Sequence, residues 1–260
     1  MPFQYIKTTD FFAYTPTASS FAVGYEATRM ADWANTRPLV RTWRSSATTP
    51  QAINFAFGAA RNGTWMALLN CNFTLLGIGV STNGTVFTDI MTGSTTFTSR
   101  SIGRDVTDPN GYRKYFLATT YNGKTHGRLE IPAQATTDGA PYFQIGLAAW
   151  GTNLTQLSRH FQVPVQEDYI DPEYKVEGKD WEESFPAGIP YKTLTFRNRF
   201  PNGEADEWHE LRLLRPGSRL LGYMNLGNNS QTDLWVKNRP VSITRQGKHQ
   251  EIDAGLRTLS

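Results

Sequence analysis

The stretch that decides the fold class is Leu75-Leu76-Gly77-Ile78-Gly79-Val80-Ser81-Thr82-Asn83-Gly84-Thr85-Val86-Phe87-Thr88-Asp89-Ile90. An apolar run ends at Asn83-Gly84, and a second run begins directly after it. Asn-Gly between two such runs is the strongest short-range signal for a β-hairpin, because both residues accept the left-handed backbone that the tight turn needs. We therefore predict two antiparallel strands at this point.

The same pattern of short apolar runs separated by glycine-containing turns continues on both sides of this hairpin, from residue 51 to residue 165. The further predicted strands are Ala52–Phe57, Trp65–Leu69, Tyr112–Tyr121, Arg128–Ile131, Pro141–Trp150 and Arg159–Val165. Asn62-Gly63 and Asn122-Gly123 are interpreted as turns between neighbouring runs. Strands at this spacing indicate a β-sandwich or a jelly roll.

The segments on either side differ from this pattern. Residues 1–45 carry scattered aromatic residues among Thr, Ser and Ala, and we predict an N-terminal arm with a short helix somewhere between Ser20 and Trp33. Aromatic residues in such an arm dock on a core, either of this subunit or of a neighbour. The acidic, proline-marked run Pro164–Pro172 indicates a boundary at about residue 165, so the central domain is predicted to span 46–165.

Residues 166–260 are predicted to form a smaller β-rich domain with one helix at about 203–214. Asn202 can cap that helix, and acidic residues fall in its first turns, where the helix dipole favours them. Apolar residues recur at about one helical turn on a single face: they are Ala205, Trp208, Leu211 and Leu214.

Composition and charge exclude several classes of protein. The chain has 260 residues, and its net charge of +3 is small. Residues 1–162 hold 13 basic against 8 acidic residues, and residues 163–260 hold 13 against 15, an asymmetry compatible with head-to-tail contact between subunits. Cys71 is the single cysteine, and we interpret it as a buried thiol. No apolar stretch approaches membrane-spanning length, so we expect no membrane insertion.

No catalytic or cofactor motif is present in the sequence. It lacks a nucleophile elbow, a Walker loop, a zinc-protease motif and a dinucleotide fingerprint, and Gly77-Ile78-Gly79 lies inside a strand pattern. His126, His160, His209 and His249 are far apart, which disfavours a metal site. The carboxylates of the central domain that could form a catalytic pair are Asp89, Asp105, Asp108, Glu130 and Asp138, and of these Asp108 and Asp138 are interpreted as turn residues. We predict no catalytic, cofactor-binding or metal-binding residues, and no enzyme.

The densest basic and aromatic cluster is Arg37, Arg41, Trp43 and Arg44. Such a cluster can bind nucleic acid, but this run is short, and stacking of Arg and Trp at a protein interface explains it better. We therefore predict an interface here and expect no nucleic-acid binding.

The succession Trp43-Arg44-Ser45, Ala52-Ile53-Asn54-Phe55-Ala56-Phe57-Gly58, Ala67-Leu68-Leu69-Asn70-Cys71-Asn72-Phe73 and Gly79-Val80-Ser81-Thr82-Asn83-Gly84 resembles the opening of the galactose-binding-like jelly roll. Placed after an arm and before a smaller domain, it is similar to distal-tail or upper-baseplate proteins of long-tailed bacteriophages. The resemblance implies an all-β fold, with a galactose-binding-like jelly-roll β-sandwich followed by a smaller β-rich domain with one helix.

The function that this resemblance implies is structural. The chain is expected to form a homo-oligomeric ring in the virion tail tip, assembled in the host bacterial cytoplasm, with tail tube, hub and fibres as partners and no cofactor. The first alternative is a carbohydrate-binding module for host surface glycan, in which exposed aromatic residues contact sugar; the residues considered are Trp65, Tyr112, Tyr142 and Trp150. The second alternative is a glycan-cleaving enzyme, which requires two carboxylates in one cleft.

Overall fold

The computed structural model describes residues 3–31, 42–102 and 113–153, together with strands between residues 155 and 258. The chain divides into two compact units. The one that we call the sandwich unit comprises Ile6–Leu154 and Tyr223–Thr232. The other, the sheet unit, comprises Met1–Tyr5, Thr155–Gly222 and Asp233–Ser260. In sequence, the bulk of the sandwich unit is thus inserted between two parts of the sheet unit.

Strand β1 (Phe3–Lys7) pairs in the sheet unit, and the strands of the sandwich unit follow it. They are β2 (Thr15–Ala18), β3 (Trp43–Arg44), β4 (Gln51–Cys71), β5 (Leu75–Ser81), β6 (Thr88–Asp89), β7 (Arg100–Ser101), β8 (Arg113–Ile131), β9 (Gln144–Ile145) and β10 (Leu147–Gly151). Short 3-10 helices occupy Thr8–Asp10 and Ala27–Ala31. The described strands pair in the order β10-β4-β8-β5-β6, with β2 also on β4, β7 also on β5, and β3 on β9.

Strands β4 and β8 form one long antiparallel ribbon that runs through both layers of the sandwich. Its register shifts repeatedly between Ala56 and Trp65, where Gly58 has a φ of 70°. Bulges of this kind bend a strand and increase its twist. The first half of β4 therefore pairs with β2, and its second half pairs with β10.

The two halves of the ribbon face each other across an apolar core. Trp150 lies on β10 beside the second half of β4, yet its ring centroid is 5.6 Å from that of Phe55 and 5.8 Å from that of Phe57 in the first half. Trp43 and Phe143 are also fully buried in this core. The sandwich unit is therefore an all-β jelly roll, as the sequence predicted.

The hairpin at Asn83-Gly84 is confirmed. Strands β5 and β6 are antiparallel with Val80 opposite Thr88, and Gly84 has a φ of 74°. The side-chain oxygen of Asn83 accepts hydrogen bonds from the backbone N–H of Thr85 and of Val86, which closes the turn.

Asn62-Gly63 and Asn122-Gly123 were predicted to be turns between separate strands. That prediction is wrong, because β4 continues through the first dipeptide and β8 through the second. The two dipeptides lie near each other across the ribbon, and Oδ1 of Asn62 accepts a hydrogen bond of 2.8 Å from the Gly123 N–H. Gly63 leaves room for the Tyr121 ring, which would lie 2.0 Å from an added Cβ. Glycine at position 63 therefore allows the Tyr121 ring to lie close to the β4 backbone.

The strands of the sheet unit form one extended sheet with a separate hairpin. They are β1 with β11 (Thr155–Gln156), β12 (Gln166–Ile170), β13 (Glu173–Glu177), β14 (Glu182–Pro186), β15 (Tyr191–Pro201), β16 (Arg219–Met224), β17 (Gln231–Lys237), β18 (Ser242–Gln246) and β19 (His249–Thr258). The described order is β11-β1-β16-β17-β19-β15-β12, with β18 also on β19, while β13 pairs only with β14. The predicted helix at 203–214 lies outside the described residues.

The stretch 1–45, expected to be an arm, contributes to both units. Tyr5 in β1 pairs with Thr155, whereas Phe12, Met30 and Trp43 belong to the core of the sandwich unit. Among residues 20–31, the helical segment is the 3-10 turn Ala27–Ala31. In the part of the chain that the structure describes, no helix is long and apolar enough to cross a membrane.

Candidate functional site

The loop that joins β6 to β7 is held by one buried carboxylate. Oδ1 of Asp89 accepts hydrogen bonds from the N–H of Met91 and of Thr92, and Oδ2 accepts one from the N–H of Thr98. Nη2 of Arg100 lies 2.5 Å from Oδ1. Desolvation by burial raises the pKa of Asp89, but the bonds from Arg100 and the three backbone groups outweigh it and hold the pKa well below its usual range.

This loop places Phe97 on the outer face of β5. Gly77 and Gly79 point to that face, because the intervening Ile78 is buried in the core. A Cβ at Gly79 would lie 2.2 Å from the Phe97 ring, and a Cβ at Gly77 would lie 2.9 Å from Cβ of Phe97. The two glycines therefore form a flat surface on which Phe97 packs, and we call this surface the glycine bed. A residue with a Cβ at either position would not leave room for the Phe97 side chain.

Beside Phe97 lies a cleft of about 340 Å³ on the outer face of the sheet. Ala52, Gly77 and Glu130 lie at one level across β4, β5 and β8. Arg128 and Glu130 line the same cleft, with Nε of Arg128 3.0 Å from Oε1 of Glu130. Both side chains are partly exposed, and the Arg128 guanidinium also lies 5.1 Å from the centroid of the Phe87 ring.

The far wall of the cleft is fixed by Gln51. Its Oε1 accepts hydrogen bonds of 2.8 Å and 2.7 Å from the hydroxyls of Ser19 and Ser20. Its Nε2 donates to the carbonyl oxygen of Thr49 at 3.0 Å. The amide is thus engaged within the fold and positions the wall, while Arg128 and Glu130 are the two charged groups that line the cleft.

The aromatic residues considered for sugar contact are not gathered at this cleft. Trp65 and Trp150 are fully buried, so the expectation that they are exposed is wrong: Trp65 donates its Nε1–H to the carbonyl oxygen of Thr152, and Trp150 fills the core. Tyr142 is partly exposed and packs on Arg44. Tyr112 lies outside the described residues.

The carboxylates singled out in the sequence have different roles. Asp89 holds its loop, and Glu130 pairs with Arg128. Asp138 accepts hydrogen bonds from the side-chain amide of Asn72 and from the Ala140 N–H, which fixes the turn around it. Asp105 and Asp108 lie outside the described residues.

The remaining candidate groups fall into structural positions. His126 packs against Phe87, and its Nδ1 is 2.8 Å from Oγ1 of Thr125; the other three histidines have no described side chain. Cys71 is buried, as predicted, and burial raises the pKa of its thiol. Among the described residues, no group of three or more His, Cys, Asp or Glu side chains is placed to hold a metal ion.

In the basic and aromatic run, Trp43 is buried and the Arg44 guanidinium lies over the rings of Tyr25 and Tyr142, while Arg37 and Arg41 lie outside the described residues. Phe97 and Arg128 were not predicted from the sequence as site residues, and Glu130 was considered only as a candidate for a catalytic carboxylate pair. The alternation Arg128-Leu129-Glu130 opposite Gly77-Ile78-Gly79 was the available signal, since both triplets bury their central residue and turn the flanking ones outward.

Comparison with known proteins found no matching family model and no matching curated protein. Among solved structures, chitosan-binding module 1 from a chitosanase/glucanase of Paenibacillus sp. IK-5 is 21% identical over 53% of this chain and 93% of its own, with a TM-score of 0.35. A Streptococcus pneumoniae fucose binding module is 8% identical over 55% and 93%, with a TM-score of 0.39. A Ruminococcus gnavus fucosidase is 10% identical over 56% and 27%, with a TM-score of 0.41.

These neighbours include carbohydrate-binding modules and an enzyme that this chain matches over about a quarter of its length. Identities this low bear on the fold alone. At TM-scores below 0.5, the neighbours do not bear on what this chain binds, so a functional assignment has to rest on the cleft itself.

Proposed function

We propose that the sandwich unit is a non-catalytic carbohydrate-binding module whose binding site is the cleft beside Phe97. The observation that carries this proposal is the Arg128–Glu130 pair, which lines an open cleft with an aromatic side chain next to it. The described residues place no other charged side chain in the cleft lining.

The chemistry of this pair suits a sugar. Neighbouring hydroxyls of a pyranose both donate and accept hydrogen bonds, and here a guanidinium donates while a carboxylate accepts. Hydrogen bonds to charged groups contribute about 1.5–3 kcal/mol each, more than neutral ones. The pair also neutralises its own charge, which favours a neutral polyol over an ion.

The surrounding geometry supplies the apolar and rigid parts of such a site. Phe97 offers an aromatic surface for the C–H face of a sugar, and its position is set by the glycine bed and by the Asp89 loop. A cleft of about 340 Å³ falls within the size range of small-molecule sites. Because the loop is held before binding, less conformational entropy is lost on binding.

The first test is a glycan array with the full chain, followed by calorimetry with Arg128→Ala and Glu130→Gln for any hit. We expect a roughly 10- to 100-fold loss of affinity in each variant, since each removes charged hydrogen bonds. Lys124→Ala is the matched control, because Lys124 lies on the same strand but does not line the cleft. Uniform absence of binding across a broad array, or unchanged affinity in both variants, would overturn the proposal.

A second candidate is the structural role in a bacteriophage tail tip that the sequence resemblance implies, including ring assembly and a place in the virion. The observation that favours it is the exposure of large apolar side chains, Phe21, Val23, Val86 and Met91, in loops of the sandwich unit. A contiguous patch of such side chains marks a protein contact, whereas single ones are common on any protein surface. Native mass measurement with tail-tube protein tests it: a discrete ring or co-assembly supports it, and a monomer that ignores tail proteins counts against it.

A further inference from the structure

A second cluster of the sandwich unit, separate from the cleft, surrounds Arg44. The Arg44 guanidinium carbon lies 4.2 Å from the centroid of the Tyr25 ring and 4.7 Å from that of the Tyr142 ring. Arg29 lies 5.4 Å from the Tyr25 centroid and also pairs with Glu26 at 3.5 Å. None of these residues lines the cleft beside Phe97.

The backbone holds the cluster at three points. The Arg44 carbonyl oxygen accepts a hydrogen bond of 2.8 Å from the Ala22 N–H, and its N–H donates to the Tyr25 carbonyl oxygen at 3.2 Å. The Tyr142 carbonyl oxygen accepts a hydrogen bond of 3.0 Å from the buried amide of Asn72. The two rings and the guanidinium are therefore positioned by the fold before any ligand arrives.

The part of the chain that the structure describes places no acceptor at the Arg44 guanidinium. Its Nε is buried, and no hydrogen-bond or ion-pair partner for the head group lies among the described residues. A ligand that supplies an acceptor to the terminal Nη groups of this guanidinium would therefore gain charged hydrogen bonds. The guanidinium carbon lies over the Tyr25 and Tyr142 rings, and the donors for recognition are the N–H groups at its edge, which form a planar fork.

A planar fork of this kind pairs bidentately with a carboxylate. The Tyr25 and Tyr142 rings, whose centroids lie 4.2 Å and 4.7 Å from the guanidinium carbon, bring their hydroxyl groups near this fork. The hydroxyls of Tyr25 and Tyr142 have no hydrogen-bond partner among the described residues. Two hydroxyls beside a carboxylate-binding fork match a sugar ring better than a bare anion.

We propose that the Tyr25–Arg44–Tyr142 cluster binds the carboxylate of an acidic sugar, such as a uronic acid. This site is additional to the cleft beside Phe97. Because the two sites share no residue, a test of one can fail without affecting the result for the other. An acidic peptide side chain would satisfy the fork but would leave the hydroxyls of Tyr25 and Tyr142 without partners.

The test follows the Arg44 Nε–H signal by ¹H–¹⁵N NMR on the full chain while galacturonate is added. We expect a saturable shift with galacturonate, none with galactose, and binding of acetate and of N-acetylglutamate at least roughly tenfold weaker. A response to galactose equal to that of galacturonate would overturn the carboxylate assignment. A response to acetate or N-acetylglutamate equal to that of galacturonate would overturn the sugar assignment.

Arg44→Lys keeps the charge and removes the fork, so galacturonate affinity should fall at least roughly tenfold. Arg61→Lys is the matched control, because Arg61 lies 5.6 Å from the single ring of Phe12 and outside the cluster. Unchanged affinity in Arg44→Lys would refute the bidentate assignment. If Arg44→Lys does not fold, the NMR titration of the unmodified protein still tests the proposal.

Discussion

Asp89→Asn is the substitution that tests the site most directly, since Asp89 holds the loop that carries Phe97. The side chain is fully buried and makes bonds to Arg100 and to the backbone of Met91, Thr92 and Thr98. An amide retains one acceptor oxygen, but its nitrogen cannot accept from an N–H, and the ion pair with Arg100 is lost.

Breaking a buried charged pair by removing one partner costs about 3–5 kcal/mol, and we take the lower end because Arg100 keeps some solvent contact. A loss of about 3 kcal/mol corresponds to a fall in Tm of about 6–12 °C for a unit of this size. Urea unfolding and calorimetry measure both quantities. Asp138→Asn is the control: Asp138 is exposed, and its loss should cost less than about 1 kcal/mol.

The pH dependence gives an independent check on the same network. The pKa of Asp89 is depressed in the folded state, so its contribution to stability is fully present above the ordinary carboxyl pKa of about 3.9. That contribution is lost as pH falls from there through the depressed pKa. Between about pH 5 and pH 2 the unmodified protein should therefore lose more stability than Asp89→Asn does.

The energetic coupling between Asp89 and Arg100 can be measured with a double-mutant cycle. Arg100→Met should destabilise the fold by a similar amount, and the double variant should cost much less than the sum of the two. Strict additivity, or a Tm of Asp89→Asn within about 2 °C of the unmodified protein, would refute the view that this pair organises the loop. Sugar binding in the cleft should weaken with the loss of the pair, because Phe97 loses its support.

Three further outcomes follow from the fold. Gly79→Ala places a Cβ 2.2 Å from the Phe97 ring, so it should displace that ring and weaken sugar binding measured by calorimetry, with strands retained by circular dichroism. Cys71 should resist a thiol reagent at pH 8 and react on unfolding, because burial both shields the thiol and raises its pKa. A fragment spanning residues 6–154 should fold alone with a cooperative thermal transition, since most of one compact unit lies within it.

The hairpin at Asn83-Gly84 could be predicted because everything that fixes it is local. Asn83 and Gly84 supply the turn, and Ser81 closes it by accepting hydrogen bonds from both of their N–H groups. The dipeptides Asn62-Gly63 and Asn122-Gly123 have the same residue types as the turn at Asn83-Gly84. They lie in facing bulges because strands β4 and β8 pair there, between positions about 60 residues apart in the chain. The residue types of the dipeptides alone do not encode that pairing.

The site residues escaped prediction for a related reason. Phe97 stands alone in a polar loop, and its position depends on a carboxylate eight residues earlier and on glycines of another strand. Trp65 and Trp150 were considered for sugar contact because tryptophan is common in such sites, but which face of a strand they occupy is set by the bend of the β4–β8 ribbon. Burial of the jelly-roll core was predictable from apolar periodicity, and the surface geometry was not.

The two proposed sites differ in whether a carboxylate lies beside the arginine, and this difference determines which ligands each site can select. Arg128 has Glu130 3.0 Å away, so an anion entering the cleft would meet a carboxylate as well as a guanidinium. A neutral polyol, in contrast, finds both a donor and an acceptor there. Arg44 has no described carboxylate partner and keeps its fork for an anion. The chain should therefore bind neutral sugar units in the cleft and acidic sugar units at the Arg44 cluster. Glu130→Gln should raise the affinity of the cleft for acidic ligands relative to neutral ones, and it should leave binding at the Arg44 cluster unchanged.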